Sequence, residues 1–412
     1  MSEYDVVVVG AGISGIAFAH RAASAGRRTL VLERGDRLGG CLHSNRLGSG
    51  YWFELGAHTC YNSYANLIDL VVSAGLTERL LPRGEARSRF DVLTGEHHRP
   101  LTQAGILREL SWREAVASLA RGVGRGRRDE TVASRFSRLL GARNYREVLR
   151  PFLTAMPSQD PDRFPASGPG SLAFVKRRRR RKDFLRSFTV DGGLQTVCES
   201  AAARAGIDVA TGVDVRAVLR EGDGVAIETA AGDRYTARAA AIAVDAPAAA
   251  RILRRGFPEV ANGIARVGSV TFETLGVAVR RATLSVPEAA FIVPKNDAFR
   301  SVVTRDVVAD PSWRGFAFHF KEPCSRDAKL RRAAAVLGVR AAALEGVTEV
   351  TRVLPSPTIG HGEVMRDIDR ALAGGALAVT GNYFGGLSIE QCVSRSIGEW
   401  ERVAAHALPG GA

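Results

Sequence analysis

The chain has 412 residues, 45% apolar and 24% charged, with a formal net charge of +14. That length allows two or three domains around a sizeable core, and the composition excludes a disordered or fibrous chain. No stretch approaches about 18 uninterrupted apolar residues, so no bilayer-spanning helix is expected. The N-terminus carries Glu3 and Asp5 and lacks a secretory pattern. Cys41, Cys60, Cys198, Cys324 and Cys392 are scattered, odd in number and without a CxxC pair. They predict a reducing, cytoplasmic setting with no disulfide framework and no metal.

The chain opens on Val6–Gly15, VVVVGAGISG, followed by TLVLE ending at Glu33. This reads as strand, glycine turn, helix start, second strand and acid, the pattern Gly10-x-Gly12-x-x-Gly15 of a dinucleotide-binding turn. Gly10 makes the tight turn, Gly12 lets backbone approach a pyrophosphate, and Gly15 lets helix pack on strand. Ile13 and Ser14 then sit at the helix N-terminus, where free N–H groups and the dipole favour phosphate. Glu33, with Arg34 beside it, comes 18 residues after Gly15 and is placed to accept hydrogen bonds from a ribose.

Residues 36–58 are glycine-rich and loop-like, and Asn66–Gly75 has helical spacing ending at a glycine cap signal. Short strands around turns are predicted from 78 to 100, and basic helices from 101 to 155. A Pro/Gly/Ser-rich loop at 157–171 marks a boundary. A second α/β stretch starts near Ser187: a turn and helix, strands at Asp208–Arg220 and Gly224–Thr229, and a buried strand at Ala239–Val244 before Asp245-Ala246-Pro247. Residues 268–322 alternate apolar and polar, as in an antiparallel sheet. Ala376–Thr380 is a last buried strand, running through Gly381–Gly386 into a helix from Ser388 to Ala407. The simplest packing places the opening, middle and closing units in one parallel sheet, with the other segments as inserts.

The charge excess is local. Residues 121–186 hold 18 Lys or Arg against 6 Asp or Glu, peaking at Lys176–Lys182, KRRRRRK. Three readings compete: a solvated arginine-rich loop, a peripheral patch that meets anionic membrane or an acidic substrate, or a nucleic-acid contact. Nucleic acid is not expected, because the run lacks aromatic interleaving and any nucleic-acid motif.

VVVVGAGISGIAFAHRAASAG…LVLERGDRLGGCLHS resembles the FAD-binding N-terminus of the flavin amine oxidase superfamily. Gly39-Gly40, Ser44, Glu54-Leu55-Gly56-Ala57 and Ser187…Gly192-Gly193-Leu194-Gln195-Thr196 extend the match, the last leading to an adenine-contacting strand at Val213–Val215. The tail Pro355…Gly360-His361…Gly381-Asn382-Tyr383…Gly385-Gly386-Leu387-Ser388-Ile389-Glu390-Gln391-Cys392 is most similar to the protoporphyrinogen oxidase branch. Cys41 stands where amine oxidases usually carry Arg, which speaks against an amine as substrate. The tail at Ser394–Trp400 also departs from the Ser-Gly ending of the family.

The resemblance implies an α/β fold: a Rossmann-like FAD-binding domain in three parts (1–78, 187–264 and 353–412), a helical, basic insert at 79–186, and an antiparallel substrate-binding sheet at 265–352. FAD would lie along Gly10, Gly12, Ile13, Ser14, Gly15, Glu33, Arg34, Gly39, Gly40, Cys41, Gly56, Ala57, His58, Val215, Gly381, Asn382, Gly386, Leu387, Ser388 and Ile389. Its ring would accept hydride, so no catalytic triad is required, and none is read. Arg89 falls where the branch has an Arg-Phe pair at the substrate pocket, and either binds a substrate carboxylate or is a surface arginine. His58, His361 and Tyr383 either face the ring or serve packing. No second GxGxxG is present for NAD(P)H.

The expected activity is removal of hydride from a CH–CH or CH–NH unit of a large apolar, carboxylated or uncarboxylated substrate, with oxygen or a quinone as acceptor. Protoporphyrinogen-oxidase-like chemistry is the nearest named case. Alternatives are a phytoene-desaturase-like or natural-product desaturase or cyclase, a flavin amine oxidase, a non-redox flavin mutase or isomerase, and a nucleotide-binding or membrane-scaffold protein that acts through its basic segment.

Overall fold

The computed structural model describes residues 4–56, 59–122, 129–155, 159–168, 171 and 180–408. The nucleotide-binding sheet contains seven strands: β1 (Tyr4–Val9), β2 (Thr29–Leu32), β3 (Asp208–Ala210), β4 (Val215–Glu221), β5 (Gly224–Thr229), β6 (Arg234–Ile242) and β7 (Leu377–Val379). Their order is β3-β2-β1-β6-β5-β4, with β7 on β6. β3, β2, β1, β6 and β7 run parallel. The β4–β5 hairpin is antiparallel and pairs with the first half of β6, leaving its second half to β7.

The four valines of β1 follow from burial on both faces. Val6 and Val8 enter one core with helix α1 (Ile13–Ser24) and helix α2 (Ile389–Ala407), whereas Val7 and Val9 enter the opposite core with helices Ala246–Leu253, Pro258–Ala265 and His361–Leu372. A strand covered on both sides reads as an unbroken apolar run, and each buried valine contributes about 1.5–3 kcal/mol.

The opening and closing units are in direct contact. The Ser396 hydroxyl of α2 donates to the Ser14 carbonyl of α1 at 2.8 Å, and the rings of Phe18 and Trp400 meet edge to face. Ser388 caps α2, its Oγ accepting from Gln391 N at 3.2 Å.

The expected strand Asp208–Arg220 is two strands. Gly212 adopts φ +73°, Gly212 N donates to Gly35 O and Val213 N donates to Glu33 O. These bonds bend the chain across the end of β2, so the ladder stops at Ala210 and restarts at Val215.

The second sheet has the strand order Glu345–Pro355, Ser269–Arg280, Trp313–Phe320, Phe299–Thr304, Phe291–Pro294, Phe90–Thr94, His97–Pro100. It is antiparallel except where Phe291–Pro294 pairs in parallel with Phe90–Thr94. That exception exists because Phe90–Thr94 arrives from about 200 residues upstream rather than through a hairpin. The stretch 79–186 therefore divides. Leu80–Pro82 pairs with Ser187–Val190, two strands join the second sheet, and helices occupy Gln103–Glu109, Trp112–Gly122, Val132–Leu140 and Arg150–Ala155.

The strand Trp52–Glu54, with Leu55, packs on the second sheet. A Cβ on Gly276 would lie 2.1 Å from Leu55 Cδ2, and one on Gly315 would lie 2.5 Å from Phe53 Cβ. Bare backbone at these two points lets Phe53 and Leu55 lie flat on the second sheet.

Candidate cofactor site

A cleft of about 540 Å³ opens at the carboxyl ends of the parallel strands. It is lined where β1 gives way to Gly10, β2 to Glu33, β6 to Ala243–Asp245 and β7 to Gly381-Asn382. This is the crevice where open parallel sheets bind their ligands.

The turn after β1 is shaped by close approach. A Cβ on Gly15 would sit 1.9 Å from the Gly10 carbonyl oxygen, so only glycine lets α1 pack there. Gly12 differs. Among the described residues beyond its own helix and chain neighbours, the one atom near a Cβ there is the Gly40 Cα at 3.8 Å, so the space beside Gly12 belongs to the cleft rather than to the fold. Gly12 is also the N-cap of α1, with no side-chain cap and no acid in the first turn. The helix N-terminus is thus left for an external anion.

Glu33 Oε2 accepts from Ala11 N at 2.8 Å and Oε1 accepts from Gly35 N at 2.8 Å. Each carboxylate oxygen keeps a lone pair for a further donor. Val213, Val215 and Arg34 line the cleft beside it.

Further along lie two arginines that no local sequence pattern singles out. Arg37 donates to the carbonyls of Gly40 and Leu38, at 2.9 and 3.2 Å. Arg352, reaching from strand Glu345–Pro355 of the second sheet, donates to Leu55 O at 3.0 Å and to His43 Nδ1 at 3.0 Å. Among the described residues neither has a carboxylate within ion-pair distance, and burial lowers the pKa of both. His43 is driven down to about 3, by burial first and then by Arg37 and Arg352. Its ring is therefore neutral, with Nδ1 as acceptor and the proton on Nε2.

Glu54 is buried behind this wall. Its oxygens accept from Leu194 N at 2.7 Å and Ser44 Oγ at 2.9 Å, and burial raises its pKa to about 7 against those two bonds.

Of the expected cofactor residues, the cleft gathers Gly10, Gly12, Ile13, Ser14, Glu33, Arg34, Gly40, Cys41, Val215, Gly381, Asn382, Leu387 and Ile389. Gly15, Gly39, Gly56, Gly386 and Ser388 shape the turns around it without lining it. Ala57, His58 and Lys176–Arg179 lie outside the described residues.

Tyr383 is turned away from the cleft. It is fully buried in the core under β6 and β7, against Phe384 with centroids 4.9 Å apart. His361 is buried too, and its Nε2 lies 2.7 Å from the Tyr383 carbonyl. Burial lowers its pKa, so the neutral ring donates from Nε2 and clamps the loop between β7 and α2. Arg89 does not join the cleft: its side chain is exposed and stands 3.9 Å from Glu85. Arg181, from the basic run, is tied down by Asp69 and Asp183 and reaches over the Phe184 ring.

Arg251 and Ile252, from the helix after Asp245, also line the cleft, and sequence reasoning misses them. The available signal is the strand end at Asp245, whose side chain caps that helix by accepting from Ala248 N at 2.9 Å. On the second sheet, Val350 and Arg352 line the cleft while pairing with Thr274 and Phe272. Thr274 Oγ1 lies 2.9 Å from His319 Nδ1 on the next strand. Alternation places this polar pair on the sheet face that carries Arg352.

Sheet and cleft together define a dinucleotide-binding protein whose cofactor crevice is walled on one side by a second sheet. The chain belongs to the family described as flavin containing amine oxidoreductase, which it matches over residues 13–329. It is 33% identical to the flavin-dependent L-tryptophan oxidase of Lentzea aerocolonigenes over 132 residues, 31% of this chain and 27% of that protein. It is 38% identical to the 15-cis-phytoene desaturase of Narcissus pseudonarcissus over 76 residues, 18% of this chain and 13% of that protein. These matches span less than a third of either relative. The structure of a provisionally assigned protoporphyrinogen oxidase from Exiguobacterium sp. 255-15 superposes with a TM-score of 0.76 at 18% identity, covering 98% of this chain and 99% of that one. At that identity the likeness is one of fold.

FAD is the cofactor of this family, and the residues present fit it. The free space at Gly12 and the uncapped α1 N-terminus suit a diphosphate, Glu33 suits a ribose, and two half-buried cations, without counter-ions among the described residues, suit an anionic ligand. Among the described residues no helix is long and apolar enough to cross a membrane, and no group of His, Cys, Asp or Glu is arranged to hold a metal.

Proposed function

We propose that this chain is an FAD-dependent oxidoreductase that removes hydride from a CH–CH or CH–NH unit of a large, apolar substrate, with oxygen or a quinone taking up the electrons. The observation that carries the reading is the meeting of the cofactor cleft with the second sheet at Val350 and Arg352. A substrate laid on that face would be held between sheet and cofactor.

The chemistry FAD supplies when bound is acceptance of a hydride. The chain's own residues orient and insulate. The α1 N-terminus and Gly12 fix the diphosphate, Glu33 fixes the ribose, and Arg352 and Arg37 place positive charge where negative charge is to be held. His43 holds its proton at Nε2 and offers a donor. Phe53 and Leu55, packed on Gly276 and Gly315, keep water from the wall between the sheets. Thr274 and His319, on the face that also carries Arg352 and Ser301, are placed to orient a substrate there. The exposed Arg89 lends no support to a carboxylated substrate.

The reading is tested by anaerobic mixing of the flavin-loaded protein with CH–CH and CH–NH substrates. Bleaching of the flavin absorption in proportion to substrate, and its return with oxygen or a quinone, is the expected result. Turnover only by pre-reduced protein, without net electron transfer, points instead to a mutase or isomerase.

A further inference from the structure

The helix Trp112–Gly122 is amphipathic in the wrong sense for a soluble surface. It turns Ala115 and Ser118 inward, 6% and 7% exposed, and turns Trp112, Val116 and Leu119 outward, 56%, 65% and 48% exposed. The outward positions are spaced i, i+4, i+7 and form one stripe. Leu107, on the preceding helix, extends it: it is 47% exposed, and its carbonyl accepts from Trp112 Nε1 at 3.2 Å. Four large apolar side chains in one exposed patch are costly unless something covers them.

The charges around the stripe are sorted. The two acids of these helices are turned to other partners: Glu109 pairs with Lys295 at 2.8 Å, and Glu114 accepts from Arg143 N at 3.0 Å and Asn144 N at 3.3 Å. Arg108 and Arg113 stay exposed beside the stripe, and among the described residues neither has a carboxylate within 4 Å; Arg121 lies on the far side of the helix, its Nε donating to Ala117 O at 3.0 Å. An apolar stripe bordered by unpaired cations is complementary to an anionic lipid surface, where the apolar groups enter the acyl boundary and the guanidinium groups meet phosphates.

We propose that the Gln103–Glu109 and Trp112–Gly122 helices form a monotopic membrane-docking surface, bedding Leu107, Trp112, Val116 and Leu119 into an anionic bilayer. It uses residues other than the run at 176–182 and does not depend on the flavin chemistry. Trp and Arg suit the headgroup boundary, Trp by its amphipathic ring and Arg by bidentate phosphate contacts.

The test is flotation of the flavin-loaded full chain with vesicles of phosphatidylcholine alone, or of phosphatidylcholine with about one third phosphatidylglycerol. Wild-type protein is expected to float with the anionic vesicles, with binding that weakens as salt rises. Val116→Ser with Leu119→Ser is expected to weaken binding about tenfold or more at unchanged melting temperature and flavin content. Arg108→Ser with Arg113→Ser is expected to remove the preference for anionic vesicles. Binding that the apolar pair leaves untouched overturns the proposal. So does a solution dimer that the Val116→Ser, Leu119→Ser variant converts to monomer, because the stripe would then be covered by a second copy. If that variant fails to fold, blue-shifted Trp112 emission on anionic vesicles, absent in Trp112→Phe, decides the matter in its place.

Discussion

Arg352 Nη2 stands 3.0 Å from His43 Nδ1, joining the second sheet to the segment after the opening glycine turn, 309 positions earlier in the chain. Both residues line the cofactor cleft, and a half-buried cation rests there on a neutral acceptor. A charge so placed is unfavourable until an anion arrives.

Replacement of Arg352 by Met is therefore expected to act with opposite signs in the two states. The cofactor-free protein should be equally or more stable, because a half-buried cation without a counter-ion among the described residues is gone. FAD affinity should fall about 10–100-fold, the equivalent of about 1.4–2.8 kcal/mol. Melting of the free protein and fluorescence titration with FAD check the two signs separately. Equal loss in both would make Arg352 a packing residue only.

His43 sets a pH limit. Its folded pKa, about 3, lies below the ordinary 6.5, so the unfolded chain takes up the proton first. The stabilisation is full above pH 6.5 and is lost as pH falls toward 3. Unfolding in urea at pH 7, 6, 5 and 4 should show wild type losing more stability over that range than His43→Gln. Parallel curves for the two proteins would remove the burial argument.

Glu54 has the reverse sign. Its folded pKa, about 7, lies above the ordinary 4.5, so its contribution is full below pH 4.5 and is lost as pH rises through 7. Glu54→Gln keeps an acceptor for Leu194 N and should flatten that part of the profile, gaining of order 1–3 kcal/mol at pH 8. A variant less stable than wild type at pH 8 would show that the ionised carboxylate is needed.

His361→Ala removes the donor that holds the Tyr383 carbonyl at 2.7 Å. A cost of about 1–3 kcal/mol in stability is expected, with weaker FAD retention because Gly381-Asn382 line the cleft just before Tyr383. His361→Gln, which can still donate, should recover much of it. Loss of turnover at unchanged stability and flavin content would return His361 to a catalytic role.

Features built from neighbours along the chain are legible in the residues themselves. The valines of β1, the glycines at 10, 12 and 15, Glu33 and the cap at Ser388 each announce themselves through local spacing. Features built from distant segments are not. Arg352 and the Thr274–His319 pair owe their place to strand register in a sheet whose alternation alone does not say which face meets the cofactor. Tyr383 is ambiguous for a related reason. An aromatic beside a glycine pair suits a flat ligand or a core equally, and the backbone at Gly381, φ +154°, sends this ring inward. The strand break at Gly212 depends on tertiary bonds to Glu33 and Gly35 that periodicity cannot register.

The measurement that bears most directly on the account is the flavin content of folded Gly12→Val. Among the described residues, a Cβ at this position meets nothing beyond its own helix and chain neighbours nearer than the Gly40 Cα at 3.8 Å, so the fold should survive with about 1 kcal/mol lost at the helix start. Wild-type protein should carry one FAD per chain and show its yellow absorption. The variant should be folded and colourless, and remain so after incubation with excess FAD. A folded Gly12→Val protein that retains stoichiometric FAD would mean that the cofactor does not lie in this cleft.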